Sequence, residues 1–493
     1  MRPVLTPEQM AEADARTVAL GTPHETLILR AGRAAAWEMR RALGGTYGRR
    51  VVVVRGKGNN GADGLVAARA LRAWGARVDV FQIDSSVDSD TVFDPSTFAR
   101  SLARADGVID AMYGTGLRGA ISGLALDAVH AINACVATVV SVDIPSGVDG
   151  ATGTVASSAV HADRTVTFAA EKPGHCLGAG RSCSGVVTVV DVGVDPADVS
   201  LGLSTGITER ADVLAWLPQR PIDAHKWSVG ALMVIGGQTG MTGAPMLASR
   251  AAMRAGVGIV WCGVPGTDAA SRASGSEVIT FALDATGSGS MSATAFELVL
   301  DYVKRFDALV LGPGLGTAAG TAEAVVRIIA DVQTNLVLDA DGLNSLRGDL
   351  SALLKRPAGV VTVLTPHDGE YKRLLGVEPG KDRVAAARCL ADATGAIVLL
   401  KGRTTVVAEP HAGRVALNST GGPWLATAGT GDVLSGIIGA FLAVGAPGFE
   451  AAAAAAWVHG SAADECGHNG LIASDLLAAI PAVLRDPQDL MEA

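Results

Sequence analysis

Four consecutive valines, Val51 to Val54, run through Arg55 into the turn Gly56-Lys57-Gly58-Asn59-Asn60-Gly61-Ala62-Asp63-Gly64, and an alanine-rich stretch starts at Leu65. A short β-branched run without polar alternation suits a strand covered on both faces, as in a parallel sheet. Parallel neighbours need crossovers, so the stretches between such runs are expected to be helical. Residues 51–55, 78–83, 108–111, 138–143, 165–169 and 186–192 are predicted strands of a first block, with a helix over 64–74. A second block repeats the pattern, with a strand and turn over 230–237, strands near 308–311, 336–339, 360–364 and 397–400, and a mostly helical last third. The expected architecture is α/β twice over. No fixed repeat period appears, so a solenoid or propeller is not supported.

The 493 residues exceed one domain of roughly 150 residues, and the polar, small-residue stretch 195–209 reads as a linker. This places two domains at 1–208 and 209–493. Forty Lys and Arg against forty-nine Asp and Glu, without a dense basic run, argue against nucleic acid as a partner. Six cysteines without a CxxC pair fit neither a disulfide framework nor a structural zinc site. Thr6-Pro7-Glu8-Gln9 has the form of a helix capping box, and no signal-peptide pattern precedes it. Residues 433–449 are apolar, yet they include Ser435 and Pro447 and lie between Asp432 and Glu450, so a buried helix is expected there and no membrane span. A cytoplasmic homo-oligomer acting on small molecules is the expectation.

Gly56, Gly58 and Gly61 satisfy GxGxxG after a strand, with Asp79 or Asp84 about 20 residues on, as a redox dinucleotide fingerprint requires. A plain Asn-Gly turn is the competing reading. Two further predicted strands end in side-chain oxygens: Asp110 leads into Ala111-Met112-Tyr113-Gly114-Thr115-Gly116-Leu117, and Asp143 into Ile144-Pro145-Ser146-Gly147. Parallel strands bring such ends to one crevice. Asn60, Asp110 and the Ser146 region would then offer hard oxygen donors of low total charge, suited to a weakly charged cation.

The runs 58–64, 110–117 and 142–147 strongly resemble the NAD(P)H-hydrate epimerase family. The resemblance implies a Rossmann-like domain that binds potassium and interconverts the R and S hydrates of NADH and NADPH. It further implies potassium at Asn60, Asp110 and Ser146. Hydrate contacts are implied at Asn59, Asn60, Gly61, Ala62, Asp63, Gly114, Thr115, Gly116, Leu117, Arg118, Gly119, Ala120 and Asp143. Ala62 stands where the family more often has glycine. Inverting the hydroxyl-bearing carbon 6 needs loss or opening and re-addition, hence an acid or base, for which Asp143 is the candidate. Lys172 is a possible electrostatic helper, with an ordinary surface lysine the favoured reading.

Near the carboxyl end, Ala426-Thr427-Ala428-Gly429-Thr430-Gly431-Asp432-Val433 reads as a small-residue loop opening a helix. Backbone N–H groups at Gly429, Thr430 and Gly431 could face a phosphoryl group, with Asp432 beside them to take a hydroxyl proton. Lys401-Gly402-Arg403-Thr404-Thr405 follows a predicted strand, where a nucleotide phosphate, a ribose or simply solvent could meet it. Gly312-Pro313-Gly314-Leu315-Gly316 and Thr365-Pro366-His367-Asp368-Gly369-Glu370 repeat the strand-then-turn pattern. Together with His225-Lys226, 234–237, 241–245 and 338–344, these segments resemble the ADP-dependent NAD(P)H-hydrate dehydratase family, a ribokinase-like branch. That resemblance implies ADP, with magnesium, at Lys401, Gly402, Arg403, Thr404, Thr405, Gly429, Thr430 and Gly431. It puts Ala244, Gly316, His367 and Asp432 around the S hydrate. Trp227, Ser228, Ser419 and Ala428 depart from the family's usual residues. A sugar or hydroxymethyl-pyrimidine kinase with a regulatory nucleotide-binding domain is the alternative, and a redox dehydrogenase the third reading.

Overall fold

The computed structural model describes residues 1–83, 94–197, 199, 204–266, 277–467 and 469–485. Asp84, and residues 198 and 200–203 of the expected linker, lie outside these. The chain divides into two compact units, one of Arg2–Thr205 and the other of Met1 with Gly206–Ala493. Within the expected linker, Thr205–Ile207 is a strand.

The first unit is built on six strands: β1 (Arg50–Arg55), β2 (Arg77–Gln82), β3 (Gly107–Ala111), β4 (Thr138–Val142), β5 (Arg164–Phe168) and β6 (Val186–Val190). All pairings are parallel, in the order β2-β1-β3-β4-β5-β6. The valine run explains the central strand: Val51 and Val53 enter one apolar cluster, with helices His24–Ala42 and Asn59–Ala73, while Val52 and Val54 enter the other, with Pro95–Leu102 and Gly123–Ala134. The order in which strands are added reverses between β1 and β3, and in such sheets the crevice beyond the carboxyl ends of those strands is where ligands bind.

The helix expected over 64–74 instead runs Asn59–Ala73, with Gly58 as its N-cap. Of the apparent dinucleotide fingerprint, Gly56 and Gly61 serve close packing, together with Gly64 beyond it, whereas Gly58 faces open space. A Cβ on Gly56 would stand 2.1 Å from Met112 O, one on Gly61 2.0 Å from Gly56 O, and one on Gly64 2.6 Å from Ala111 Cβ. Only glycine lets the helix start this close to the sheet edge. At the amino end the capping box forms as its residues predict: Thr6 Oγ1 accepts from Gln9 N at 3.2 Å, and Thr6 N donates to Gln9 Oε1 at 3.0 Å.

The second unit carries β7 (Ala231–Ile235), β8 (Ile259–Pro265), β9 (Ile279–Leu283), β10 (Ala308–Leu311), β11 (Asn335–Leu338), β12 (Thr362–Leu364), β13 (Ile397–Leu400), β14 (Thr405–Ala408) and β15 (Val415–Asn418). They follow the order β15-β14-β13-β12-β11-β10-β7-β8-β9. Pairing is parallel from β13 to β9 and antiparallel through β14 and β15. Lys401 to Thr404 thus form the turn of a hairpin, whose short loop sequence alone reads as one more crossover start.

The apolar stretch 433–449 becomes two segments, because helix Thr430–Ala443 ends before Pro447 and Gly448–Cys466 begins after it. Among the described residues no helix is long and apolar enough to cross a membrane. All six cysteines are free thiols.

Helix Thr430–Ala443 lies against helix Gly243–Arg254 so closely that a Cβ on Gly436 would stand 2.0 Å from Ala248 O. Alanine in a helix interior otherwise gains about 1 kcal/mol over glycine, whereas forcing two helix backbones apart costs about 1–3 kcal/mol or more. Gly436→Ala is therefore expected to destabilise the second unit by about 1–2 kcal/mol net, read by chemical unfolding; a gain in stability would contradict this packing.

Candidate active sites

In the first unit a cavity of about 640 Å³ opens at the carboxyl ends of β1, β3 and β4. Asn59, Asn60, Asp63, Gly114, Thr115, Gly116, Leu117, Arg118 and Asp143 line it. Gly61, Ala62, Gly119 and Ala120 are not among its lining residues. Gly61 faces inward to the sheet edge, and Gly119 and Ala120 are exposed.

Asp110, at the end of β3, is fully enclosed. It accepts from Ser146 Oγ at 2.6 Å, Ser146 N at 2.8 Å, Ser141 Oγ at 2.9 Å and Met112 N at 3.3 Å. Burial still holds its carboxyl above the ordinary value against those four donors. Ser146 Oγ in turn accepts from Tyr113 N at 2.9 Å, tying together the two loops that the sequence singled out. Asn60 has both its side-chain Oδ1 and Nδ2 buried with no hydrogen-bond partner. A buried amide with neither end satisfied is a costly arrangement that a bound group would relieve.

Asp143 has φ +65° and ends β4 in a three-residue turn, closed by Ile144 N donating to Val142 O at 2.8 Å. Its strand therefore stops one residue earlier than the sequence pattern predicts. The neighbouring strand ends alike: Ala169 has φ +60°, and Ala170 N donates to Phe168 O at 2.7 Å. Lys172, read from sequence as a surface side chain, is buried. Its Nζ donates to Asp143 Oδ1 at 2.6 Å and to Thr167 Oγ1 at 2.7 Å. Burial works against the Asp143 charge, but the Lys172 ammonium, with His175 and Thr167, leaves the carboxyl below its usual value. His175 Nδ1 accepts from Lys172 N at 3.1 Å, so its other nitrogen carries the proton and donates to Asp143 O at 2.7 Å. Burial and the adjacent ammonium push the His175 imidazole down to about 4, keeping it neutral.

Asp14 and His24 also line this cavity, from the two amino-terminal helices, and sequence reasoning missed them. Pro7, Met10 and Asp14 share one helical face (i, i+3, i+7), so a carboxylate on that otherwise apolar stripe was the available signal.

In the second unit Gly429, with φ +90°, caps helix Thr430–Ala443. Thr430, Gly431 and Asp432 form its first turn, whose amides have no intrahelical acceptor. Thr430 Oγ1 donates to Leu425 O and Thr427 O, both at 2.9 Å, and so fastens the loop. Lys401 Nζ donates to Asp339 Oδ1 at 2.6 Å. A Cβ on Gly431 would stand 3.5 Å from that ammonium nitrogen, so the cation lies beside the helix start. Ser435 Oγ also donates to Asp339 and bridges to Gly431 O. Burial alone would lower the Lys401 ammonium, but Asp339 and Glu370 more than offset it and hold it above its ordinary value. Asp432 is pushed up to about 7, first by burial and then by Asp339, with Lys401 opposing.

Of the other expected positions, Gly402 and Arg403 are exposed and Thr404 is buried in the hairpin that Thr405 begins to close. Gly316 N donates to Asp341 Oδ2 at 2.8 Å. His367 caps helix Asp368–Leu375, its Nδ1 accepting from Gly369 N at 2.9 Å and its N donating to Glu370 Oε2 at 2.8 Å. Ala244 lies at the start of helix Gly243–Arg254, where a Cβ on Gly314 would touch it at 3.3 Å. Asp339 and Ser435 join this cluster through Lys401 and Gly431, although the sequence pattern attached no role to them.

Comparison with known proteins yields two family matches, NAD(P)H-hydrate dehydratase over residues 232–482 and YjeF-related protein N-terminus over 24–174. A bifunctional NAD(P)H-hydrate repair enzyme from Salinibacter ruber is 40% identical, covering 98% of this chain and 96% of that protein. A protein of the same description from Moorella thermoacetica is 37% identical over 90% and 89%. Among solved structures, an ADP/ATP-dependent NAD(P)H-hydrate dehydratase from Bacillus subtilis, co-crystallised with ATP and magnesium, is 28% identical over 56% of this chain and 96% of that one, with a TM-score of 0.47. With both halves matched and relatives aligned almost end to end, the chain belongs to the family of bifunctional NAD(P)H-hydrate repair enzymes.

Proposed function

We propose that the first unit exchanges the R and S epimers of hydrated NADH and NADPH, and that the second unit dehydrates the S form at the expense of ADP, giving AMP and phosphate. The observation that carries the reading is the presence, at each sheet edge, of a lysine-held aspartate beside an amide-rich helix start.

In the first unit Asp143 is the base. Lys172 keeps it ionised, and the His175 N–H fixes its backbone, so the carboxylate is presented to the cavity without rearrangement. Potassium fits the remaining donors: Asn60 offers an unpartnered buried oxygen, and Asp110 and Ser146 add one negative charge and a hydroxyl. When bound, the ion supplies positive potential that orders the loops around the nucleotide.

In the second unit Asp432 takes the proton from the carbon-6 hydroxyl as that oxygen accepts the phosphoryl group, while the amides of the first helical turn and Lys401 face the developing negative charge. Phosphate then leaves with loss of a proton from carbon 5. Magnesium would neutralise the nucleotide phosphates. Lys401, Gly402, Arg403, Thr404 and Thr405 with Gly429, Thr430 and Gly431 would hold the nucleotide, and Ala244, Gly316 and His367 would face the hydrate.

Asp432→Asn is expected to lower ADP-dependent dehydration by about 10²–10⁴-fold while epimer exchange continues, each epimer being followed by chromatography; equal loss of both activities would contradict separate sites. Because the ionised carboxyl is the base, kcat/KM for dehydration should rise about tenfold per pH unit below about 7 and level off above it.

Lys172→Met leaves Asp143 in the same enclosure without its cation, which is expected to cost about 3–5 kcal/mol at neutral pH. The sign follows from the lowered Asp143 carboxyl: the pair's stabilisation is present above the ordinary carboxylate range and lost as pH falls through the folded value. The gap between Lys172→Met and the parent chain, measured by chemical unfolding, should therefore narrow in acid; a constant gap would argue against the ion pair.

A further inference from the structure

The cavity of the first unit contains an ionisable group that the scheme above leaves idle. Asp63 stands one turn into helix Asn59–Ala73, is 7% exposed, and lines the cavity with Asp143. Asp143 is held by Lys172 and Thr167, whereas the Asp63 carboxyl makes no hydrogen bond with any described residue. The other titratable groups lining the cavity are Asp14 on helix Pro7–Ala19, His24 on helix His24–Ala42, Lys57, Tyr113, Arg118 and Lys172. The Lys172 ammonium is already committed to Asp143. A carboxylate enclosed without a donor or cation of its own is costly, and a neutral carboxyl is far less so. Burial, then Asp143 and Asp14, push Asp63 up to about 8, while Asp143 lies low. Two carboxyls of one cavity driven in opposite directions have the signature of an acid and a base.

Resting on the reading of this unit as the site of epimer exchange, we propose that Asp63 is its second catalytic residue, the acid that protonates the departing carbon-6 hydroxyl while Asp143 serves the incoming water. The C6–O bond breaks with its electron pair on oxygen, the Asp63 proton makes that oxygen water, and the ring nitrogen lone pair forms the N1=C6 bond. Water then adds to carbon 6 from the other face. The N1=C6 pair returns to nitrogen, and the proton released goes to Asp143. The turnover leaves Asp63 ionised and Asp143 protonated, and the reverse exchange or proton exchange with solvent restores the pair. Asp63 lies on the helix and Asp143 just past the end of β4, so the two carboxyls reach the one cavity from different elements.

The test is steady-state exchange of separated epimers by the full chain, in water enriched in oxygen-18 and with potassium present. Asp63→Asn is expected to lower kcat by about 100-fold or more with KM within about twofold. The parent chain is expected to lose kcat/KM above about pH 8, and the substitution should remove that fall. Asp63→Glu should restore part of the rate, and label should enter the carbon-6 hydroxyl in step with exchange. Unchanged thermal unfolding of Asp63→Asn separates a chemical defect from a folding one. A parental kcat in Asp63→Asn, a defect confined to KM, or exchange without label would overturn the proposal. If the parent chain exchanges no epimers at all, the reading of the unit itself fails, a result distinct from exchange that merely does without Asp63.

Discussion

A lysine ammonium held 2.6 Å from an aspartate, with one partner of the pair buried, recurs once in each unit and is the interaction on which both sites depend. Such a pair gains little net stability, because desolvating the two charges offsets most of their attraction, yet removing one partner strands the other. Its value lies in position. Asp143 and Asp339 sit at the carboxyl edges of their sheets, Lys172 and Lys401 reach them from beyond the carboxyl ends of β5 and β13, and each pair fixes a carboxylate at that edge. Packing alone could not do this, since an unpaired aspartate in those places would protonate or turn outward.

Backbone strain collects at the same edges. Asp143 and Ala169 end adjacent strands at positive φ, and Ala340, immediately after Asp339, has φ +49°. Side chains other than glycine adopt this region reluctantly, and such residues persist only where the surroundings over-determine them. Here the surroundings are visible. Asp143 N donates to Val166 O at 2.7 Å and its carbonyl accepts from His175, while Ala340 N donates to Asp339 Oδ1 at 2.9 Å. Glycines act in the complementary sense, letting helix starts approach these turns at distances that a methyl group would forbid.

The sequence made the sheets legible because the valine run and its counterparts are short, β-branched and bounded by glycine, and strand starts and ends shift by only one or two residues for most of them. Helix beginnings were harder to read. Glycine lowers helix propensity, so Gly61 and Gly64 suggested a loop where close packing had instead selected them inside a helix. The hairpin β14–β15 was obscured because its strands have four residues each, too few to show alternation. Among site residues, Asn60, Asp110, Asp143, Ser146 and Asp432 could be singled out because each follows a strand or opens a helix in a readable motif. Lys172 could be named only as a possible helper, with the surface reading favoured, and Asp339 was given no role, because a lysine beyond a strand and an aspartate at a strand end have many uses, and burial and partnership are tertiary facts.

The two units also show how one device can give opposite chemistry. In each, a paired aspartate stands near a second carboxyl that burial has raised: Asp63 beside Asp143 and Asp432 beside Asp339. The difference is the reach of the lysine. Lys401 still acts on Asp432 and draws it back toward ionisation, at about 7, whereas Asp63 feels burial and two carboxylates without a compensating cation and rests at about 8. Both carboxyls are thus raised toward neutrality, but only Asp432 has a cation opposing the rise. An ammonium favours the ionised carboxyl, so its action on Asp432 and its absence from the forces on Asp63 suit the first to accept a proton and the second to give one, as the proposed scheme requires.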